Sequence, residues 1–524
     1  MLLSPLLWVP LIGAVIVGFF PEKVTNGKIR QITTIFILGT FVWSLYLLGQ
    51  FNLSKAGFQF SEYMEWAKPI GLSYSLGIDG LSLPLVILNN LLTGIAIYSI
   101  GEKVERPRLY YSLILLINAG VSGALMASNL LLFIIFYELE LIPFYLMIAI
   151  WGGEKRAYAS IKFLLYTAVS GLLVLAAFLG IGFLNSNGFT FDYVSLSTAN
   201  FSQETQLLLL TLLLVGFGIK IPLVPLHTWL PDAYTEASPA TAILLGGVLA
   251  KLGTYGLVRF GLQLFPDTWA LVSPGLAIIG VVSVIYGALS AIAQKDIKRM
   301  VAYSSIGHMG YILVSAAAGT SLSVLGAVAQ MFSHGLILAL LFHLVGIVER
   351  KAGTRDLDVL NGLMNPIRGL PLTSALLIAA GMASAGIPGL VGFVSEFMVF
   401  QGSFSRFPIQ TLLCIVASGL TAVYFVILLN RTCFGKLDNK LAYYPKVLAS
   451  ENIPAFVLTA LIFFFGVQPN YLVKWIEPTT NSIVAAIPVT PDDAQVASTK
   501  TLKAPSLKKS GNWLKPGKKF LSHS

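Results

Sequence analysis

The sequence predicts an all-α polytopic membrane protein of about fourteen transmembrane helices, arranged as two inverted five-helix repeats that each contain a broken helix. Three observations carry that expectation. Of 524 residues, 56% are apolar and only 11% are charged, whereas roughly a quarter of an average soluble domain is charged. The apolar residues gather into runs of about 20, the length of helix that crosses a bilayer core. Two of those runs are interrupted by glycine and proline.

The runs lie at about 1–20, 29–50, 78–100, 109–127, 129–150, 159–184, 206–230, 239–262, 269–293, 299–318, 322–348, 371–402, 408–430 and 452–473. The first is long enough to be a membrane helix and lacks the form of a cleavable signal peptide. Strict two-residue alternation is absent, which argues against a barrel. Breaks after odd-numbered runs hold 20 Lys and Arg, and those after even-numbered runs hold four: Lys55, Lys68, Arg259 and Arg406. The positive-inside rule then puts the odd loops in the cytoplasm. A membrane domain is expected over 1–475, followed by a polar, Lys-rich tail over 476–524. Seven lysines and no acid follow residue 499, so of the net charge of +10 only +3 belongs to the rest of the chain. The tail reads as a solvated appendage of a membrane protein. The composition excludes a soluble enzyme, a disordered scaffold and a nucleic-acid binder.

Cys414 and Cys433 are the only cysteines, fewer than the four that an iron–sulfur cluster usually takes. No G-x-G-x-x-G or P-loop pattern occurs. No cofactor or metal is therefore expected in this chain.

A few titratable residues lie inside the apolar runs: Glu138, Glu140, Lys220, Lys251, His308, His334, His343 and Glu396. A charge at the bilayer centre costs roughly 2.5–3.5 kcal/mol on insertion scales, so such residues pair, face water or neutralise, and by default mark an ion or proton route. Glu138, Lys220, Lys251, His308 and His334 each fall within about two residues of the midpoint of their run, roughly 3 Å of helix rise. Groups at one depth form a row parallel to the membrane, where a vertical channel would spread them. Plainer roles stay open. Glu138 and Lys220 are able to form a static ion pair. Glu140 stands about 200° around the helix from Glu138 and reads as a helix–helix hydrogen-bonding partner. His308 follows Ser304, Ser305 and Gly307, a stretch suited to packing. His343, roughly 13 Å along the helix from His334, reads as structural or close to the cytoplasmic edge.

The run 206–230 contains Lys220-Ile-Pro222-Leu-Val-Pro225, and the run 371–402 contains Gly386-Ile-Pro388-Gly389. Proline removes a backbone donor and breaks or kinks a helix. Exposed backbone at that depth is tolerated only inside protein or beside water. The two breaks are five runs apart, an odd number, so a second unit would be inverted on the first. Units over 109–262 and 269–430 follow. Two such interruptions in matching positions point to a transport site.

Five stretches carry a family resemblance: Phe136-Tyr-Glu138-Leu-Glu-Leu-Ile-Pro143; Lys220-Ile-Pro-Leu-Val-Pro-Leu-His-Thr-Trp-Leu-Pro-Asp-Ala233; Ala250-Lys251-Leu-Gly; the stretch from Gln294 to Tyr311; and Pro388-Gly-Leu-Val-Gly-Phe-Val-Ser-Glu-Phe397. Over about 75–435 the chain resembles the antiporter-like membrane subunits of respiratory complex I. The resemblance is greatest to the subunit 4 branch, because Glu396 stands where most sister subunits have Lys, and the wording around Gly77-Ile-Asp79-Gly80-Leu-Ser-Leu and of the run 371–402 resembles its cyanobacterial and chloroplast form. It implies a proton-translocating subunit of an NAD(P)H- or ferredoxin-fed plastoquinone oxidoreductase in a thylakoid membrane. Iron–sulfur clusters and quinone would sit in partner chains, and neighbours would resemble subunits 2 and 5. Glu138 would pair with Lys220, Lys251 would pass the proton sideways, His334 would lie on the path, and Glu396 would end it. His308 is a further candidate. A multisubunit Na⁺/H⁺ antiporter shares the long Lys220 motif, and a spacer whose buried charges only lock helices together is the third reading. From the loop charges, a cysteine replacing Glu154 is expected to react with an impermeant thiol reagent from the cytoplasmic side, and one replacing Ser54 from the opposite side.

Overall fold

The computed structural model describes residues 1–101, 104–185, 188–196, 201–437 and 444–488; the lysines expected to form the basic tail, from 500 onward, lie outside the described residues. The chain begins with two helices, α1 (Ser4–Gly18) and α2 (Asn26–Gln50). A hairpin follows, β1 (Gln59–Ala67) and β2 (Leu72–Ile78), paired antiparallel. Helices α3 (Leu83–Ser99), α4 (Pro107–Met126), α5 (Leu130–Trp151) and α6 (Arg156–Phe183) come next. After them run α7 (Gln203–Lys220), α8 (Trp229–Glu236), α9 (Pro239–Leu262), α10 (Pro266–Ile292), α11 (Ile297–Ala318) and α12 (Ser321–Ala352). The last are α13 (Pro371–Ser384), α14 (Val391–Phe404), α15 (Pro408–Cys433), α16 (Ala449–Val467) and α17 (Asn470–Ala485).

Among the described residues, nine helices are long and apolar enough to cross a membrane. The other five expected runs differ for visible reasons. α1 and α3 are 15 and 17 residues long. The runs 206–230 and 371–402 divide at their prolines into α7 and α8 and into α13 and α14. α11 carries Lys298, Arg299 and His308 on a less apolar sequence.

Two of these nine helices lie wholly in the interior. The apolar windows of α9 and α12 are entirely buried, whereas those of α2, α6, α15 and α16 are 28–39% buried. The outer helices thus present apolar sides to the surroundings, and the inner pair meets only protein. Lys251 and His334 sit on this inner pair.

The hairpin was not legible as strands. Gly71, at φ +69°, turns the chain between them, a left-handed conformation that glycine adopts without penalty. β2 is buried along its length, and Asn129 donates to the Gly71 carbonyl and to Ser73 Oγ, both at 3.1 Å, tying the hairpin to the start of α5. Two basic residues counted with the loops are in fact buried. Arg259, on α9, forms a 2.6 Å ion pair with Asp79, and the rings of Phe58, Tyr193 and Tyr255 surround its guanidinium. Asp79 also accepts from the backbone of Leu81 and Ser82 ahead of α3. Asp79 is buried in the turn before α3. Lys298 Nζ donates to the Ala237 carbonyl at 2.5 Å. Helical structure also continues beyond residue 475, because α17 runs to Ala485 and Thr479 Oγ1 accepts from Gly80 N at 2.9 Å.

Helices in lipid gain little from apolar contact alone, so close approach of small residues holds them together. α10 and α11 show this directly. A Cβ added at Gly287 would lie 2.7 Å from Gly307 N, and one at Gly310 would lie 2.7 Å from the Gly280 carbonyl. Gly275, on the same helix, has nothing within 4 Å. Gly287→Leu is therefore expected to destabilise the protein by about 1–3 kcal/mol through overpacking, and Gly275→Leu to be neutral. Thermal exposure of the buried Cys414 and Cys433 to a thiol-reactive dye reads both.

Candidate functional site

Glu140 and Lys220 begin the site. α5 bends at Glu140, where one helical stretch ends at Leu139 and the next starts at Leu141. Pro143 supplies no N–H for the Leu139 carbonyl, which explains a bend here. The bend turns Glu140 into the protein, where its carboxylate is fully buried and lies 2.6 Å from Lys220 Nζ. Lys220 is the last residue of α7. Its ammonium also donates to the Tyr137 carbonyl at 3.3 Å and rests 3.3 Å from the centroid of the Tyr137 ring. The pairing expected for Glu138 thus belongs to Glu140. Glu138 is half-buried, with its carboxylate against Gly171 on α6, where even a methyl group would collide with it. The two glutamates are indeed on different faces, but the face turned to Lys220 is that of the second.

Beyond Lys220 the chain unwinds through Pro222 and Pro225 before α8. α9 packs on this break. Gly253 has no side chain to hold it away, and a Cβ there would lie 3.3 Å from the Lys220 carbonyl carbon. The α9 backbone is itself irregular. Wide π-type turns occupy Leu245–Leu249 and Leu257–Leu262, with Lys251 between them. Such turns free carbonyls from the helical ladder and occur often at functional sites. The freed Gly246 carbonyl accepts from Lys251 Nζ.

From Lys251 the polar groups are continuous. Lys251 Nζ lies 3.0 Å from His334 Nδ1. The His334 and His308 rings are tilted together with centroids 5.1 Å apart. His308 Nδ1 lies 3.5 Å from Glu396 Oε1, and its Nε2 lies 3.0 Å from Ser384 Oγ. Gln330 reaches His308 Nδ1 at 3.4 Å, and Ser418 donates to Glu396 Oε2 at 3.3 Å. Glu396 sits on α14 just after the second break, against Gly386, whose φ of +69° belongs to that break. All six of Glu140, Lys220, Lys251, His334, His308 and Glu396 are buried.

The structure brings Lys251, His334, His308 and Glu396 together, with His308 between His334 and Glu396, while the Lys220 ammonium makes its contacts with Glu140 and Tyr137. Sequence reasoning missed Ser384, Gln330 and Ser418, ordinary polar residues with no signal of their own. It also missed the Asp79–Arg259 pair, for which a signal existed: Arg259 lies inside the apolar run 239–262. His343 is held apart, between Ser99 Oγ at 2.7 Å and the Glu451 carbonyl at 2.8 Å. Glu140 Oε2 and His334 Nε2 have no hydrogen-bond partner among the described residues. Unpaired buried atoms cost about 1–3 kcal/mol each, and native proteins keep few of them. Among the described residues no group of His, Cys, Asp and Glu is arranged to hold a metal. The arrangement is suited to moving protons laterally.

A family model described as NADH:quinone oxidoreductase/Mrp antiporter, TM, matches residues 127–421. The NAD(P)H-quinone oxidoreductase chain 4 of Prochlorococcus marinus (strain NATL2A) is 40% identical over 471 residues, which cover 88% of this chain and 87% of the relative. Among solved structures, a chain of respiratory complex I from Thermus thermophilus with bound NADH superposes with a TM-score of 0.85 at 26% identity, over 93% of this chain and all of that one. A chain of the Mrp complex from Dietzia sp. DQ12-45-1b gives 0.84 at 20% identity, over 92% and 97%, a likeness of fold.

The ion pair has a stability signature. Glu140→Gln leaves a buried ammonium without its counter-charge and is expected to cost about 3–5 kcal/mol. Combining Glu140→Leu with Lys220→Met should recover most of that loss, since an apolar pair of similar volume replaces the ionic one. Glu138→Gln should cost distinctly less. Thermal unfolding of the solubilised protein compares the three, and a larger effect at Glu138 would reverse the pairing.

Proposed function

Because the chain belongs to the NADH:quinone oxidoreductase/Mrp antiporter membrane family, we propose that it is a proton-translocating membrane subunit of a complex I-type NAD(P)H–quinone oxidoreductase. It is a multi-pass integral membrane protein. The observation that supports the reading is the succession of buried titratable side chains from Lys251 through His334 and His308 to Glu396, with the two imidazole rings 5.1 Å apart at their centroids.

The residues divide the work as follows. Glu140 and Lys220 form the charged gate at the first break, with Glu138 within electrostatic reach of the same ammonium. When the pair separates, the Lys220 proton is free to move toward Lys251. Lys suits this step because a buried Lys can give up its proton, whereas Arg holds its own. Lys251 passes a proton from Nζ to His334 Nδ1 along their 3.0 Å contact. Two cations that close would repel strongly, so the pair carries one proton at a time. Transfer from His334 to His308 takes a turn of one imidazole or a bridging water. His308 then delivers the proton to Glu396, the carboxylate beside the second break and the end of the row.

The architecture proposed with this function has fourteen spans, with inverted units over 109–262 and 269–430. In support, each unit contains one broken helix, and each break carries a titratable residue of the row, Lys220 in one and Glu396 in the other. The chain has two cysteines, fewer than the four that an iron–sulfur cluster usually takes, and is proposed to do no redox chemistry itself. NAD(P)H or ferredoxin, iron–sulfur clusters and plastoquinone belong to partner subunits. The neighbours resemble subunits 2 and 5 of complex I, together with small membrane subunits and bilayer lipids. The Prochlorococcus relative favours a thylakoid-type membrane. A Na⁺/H⁺ antiporter subunit is the second reading, favoured by the Dietzia superposition; transport that depends on sodium would support it.

The deciding experiment is proton pumping per quinone reduced in Lys220→Ala membranes, with assembly followed on a native gel. An assembled complex should pump several-fold fewer protons per quinone. Normal pumping in an assembled complex would remove Lys220 from the path. Should the complex fail to assemble, Lys251→Ala decides by the same ratio.

A further inference from the structure

One end of the bundle holds a basic cleft that the proton row does not use. It has a volume of about 980 Å³ and lies between the start of α2, the end of α3, the end of α12 and the start of α16. Arg30, Arg350 and Lys351 line it, with Glu451 the one carboxylate among its lining residues. Lys351 and Arg350 share Glu451, at 2.9 and 3.9 Å. Arg30 packs over the Tyr98 ring at 5.2 Å and donates to the Tyr98 carbonyl at 3.4 Å, and it forms no ion pair among the described residues. Among the described residues that line it, three cations and one carboxylate give the cleft a net positive charge.

An apolar groove leads out of the cleft. It has a volume of about 210 Å³ and shares Thr34 and Tyr98 with the cleft, then continues between α2, α3 and α16 past Leu38, Phe41, Leu91, Ile95, Ile453 and Val457. Residues 27, 30, 34, 37, 38 and 41 of α2 follow one face of that helix from cleft to groove. The distance from 27 to 41 is roughly 21 Å at 1.5 Å per residue. Half of a hydrocarbon core is about 15 Å, so the length suits one lipid of a single leaflet with its headgroup. Gly94 keeps the groove open: a Cβ there would touch only Ile37, at 3.8 Å. Outer helices of any membrane protein meet acyl chains. This place differs in that a concave apolar track ends in a cluster of unbalanced cations, the pattern that anionic headgroups recognise.

We propose that this cleft and groove form a binding site for one anionic membrane phospholipid, with its phosphate on Arg30, Arg350 and Lys351 and an acyl chain along Gly94. Neither the mechanism nor the family assignment requires it.

The test uses the assembled complex in membranes doped with phosphatidylglycerol bearing a photoreactive acyl chain, and in parallel with the matching phosphatidylcholine. Phosphatidylglycerol should give adducts in residues 34–41 and 453–457. Arg30→Glu changes the charge of the cleft by two and is expected to lower those adducts about tenfold. Gly94→Phe fills the groove without touching a charge and should lower them to a similar degree, so it decides alone if the Arg30 variant does not assemble. Equal labelling by phosphatidylcholine, or labelling unchanged in Gly94→Phe, would overturn the proposal. So would a groove that takes no lipid because another protein chain covers it.

Discussion

A charge in the interior of a membrane protein must be compensated at once, and much of this fold is arranged around that requirement. The 2.6 Å contact between Glu140 and Lys220 is the clearest case. It needs a bend in α5 to turn Glu140 inward, a helix end that delivers Lys220, and a Tyr137 ring and carbonyl to complete the cation's surroundings. Buried pairs of this kind add little net stability but are costly to break singly. They therefore suit a place where two arrangements must be close in energy.

The same economy governs the backbone. In the bilayer core a free carbonyl or N–H has no water to turn to. The chain nevertheless interrupts α7/α8 and α13/α14 and widens two turns of α9. The widened turns of α9 are enclosed by protein, whereas Ile387, Pro388 and Gly389 of the α13/α14 break are exposed, and each irregularity is put to use. The carbonyl freed at Gly246 accepts from Lys251, and the positive-φ Gly386 gives room to Glu396. Small residues make this possible by letting whole helices approach, as at Gly253 on Lys220 and at Gly287 on Gly307. The irregular helix α9 holds Lys251, the helix that follows the second break, α14, holds Glu396, and the buried α12 brings His334 between them.

A second buried ion pair, Asp79 with Arg259, lies two helical turns of α9 beyond Lys251. Three aromatic rings enclose its guanidinium. It fastens the start of α3 to α9 and leaves the proton row to groups that exchange protons more readily than arginine does.

The sequence by itself determined a great deal: apolar runs long enough to span, and breaks at Pro222 and Pro388. These follow from local facts, hydrophobic length and proline chemistry, that do not depend on neighbours. Tertiary structure alone decided which groups touch. Glu138 and Glu140 are two residues apart with the same side chain, and only the direction of the bend in α5 selects Glu140 for Lys220. His308 gained its place because α11 lies against α12 and α14, bringing its ring between His334 and Glu396. Arg259 and Lys298 looked like loop charges because a count along the chain cannot see a carboxylate or a carbonyl that folding brings from 180 or 61 residues away. Hydropathy registers how far a residue is from water along one helix; the partner that makes its burial tolerable comes from another.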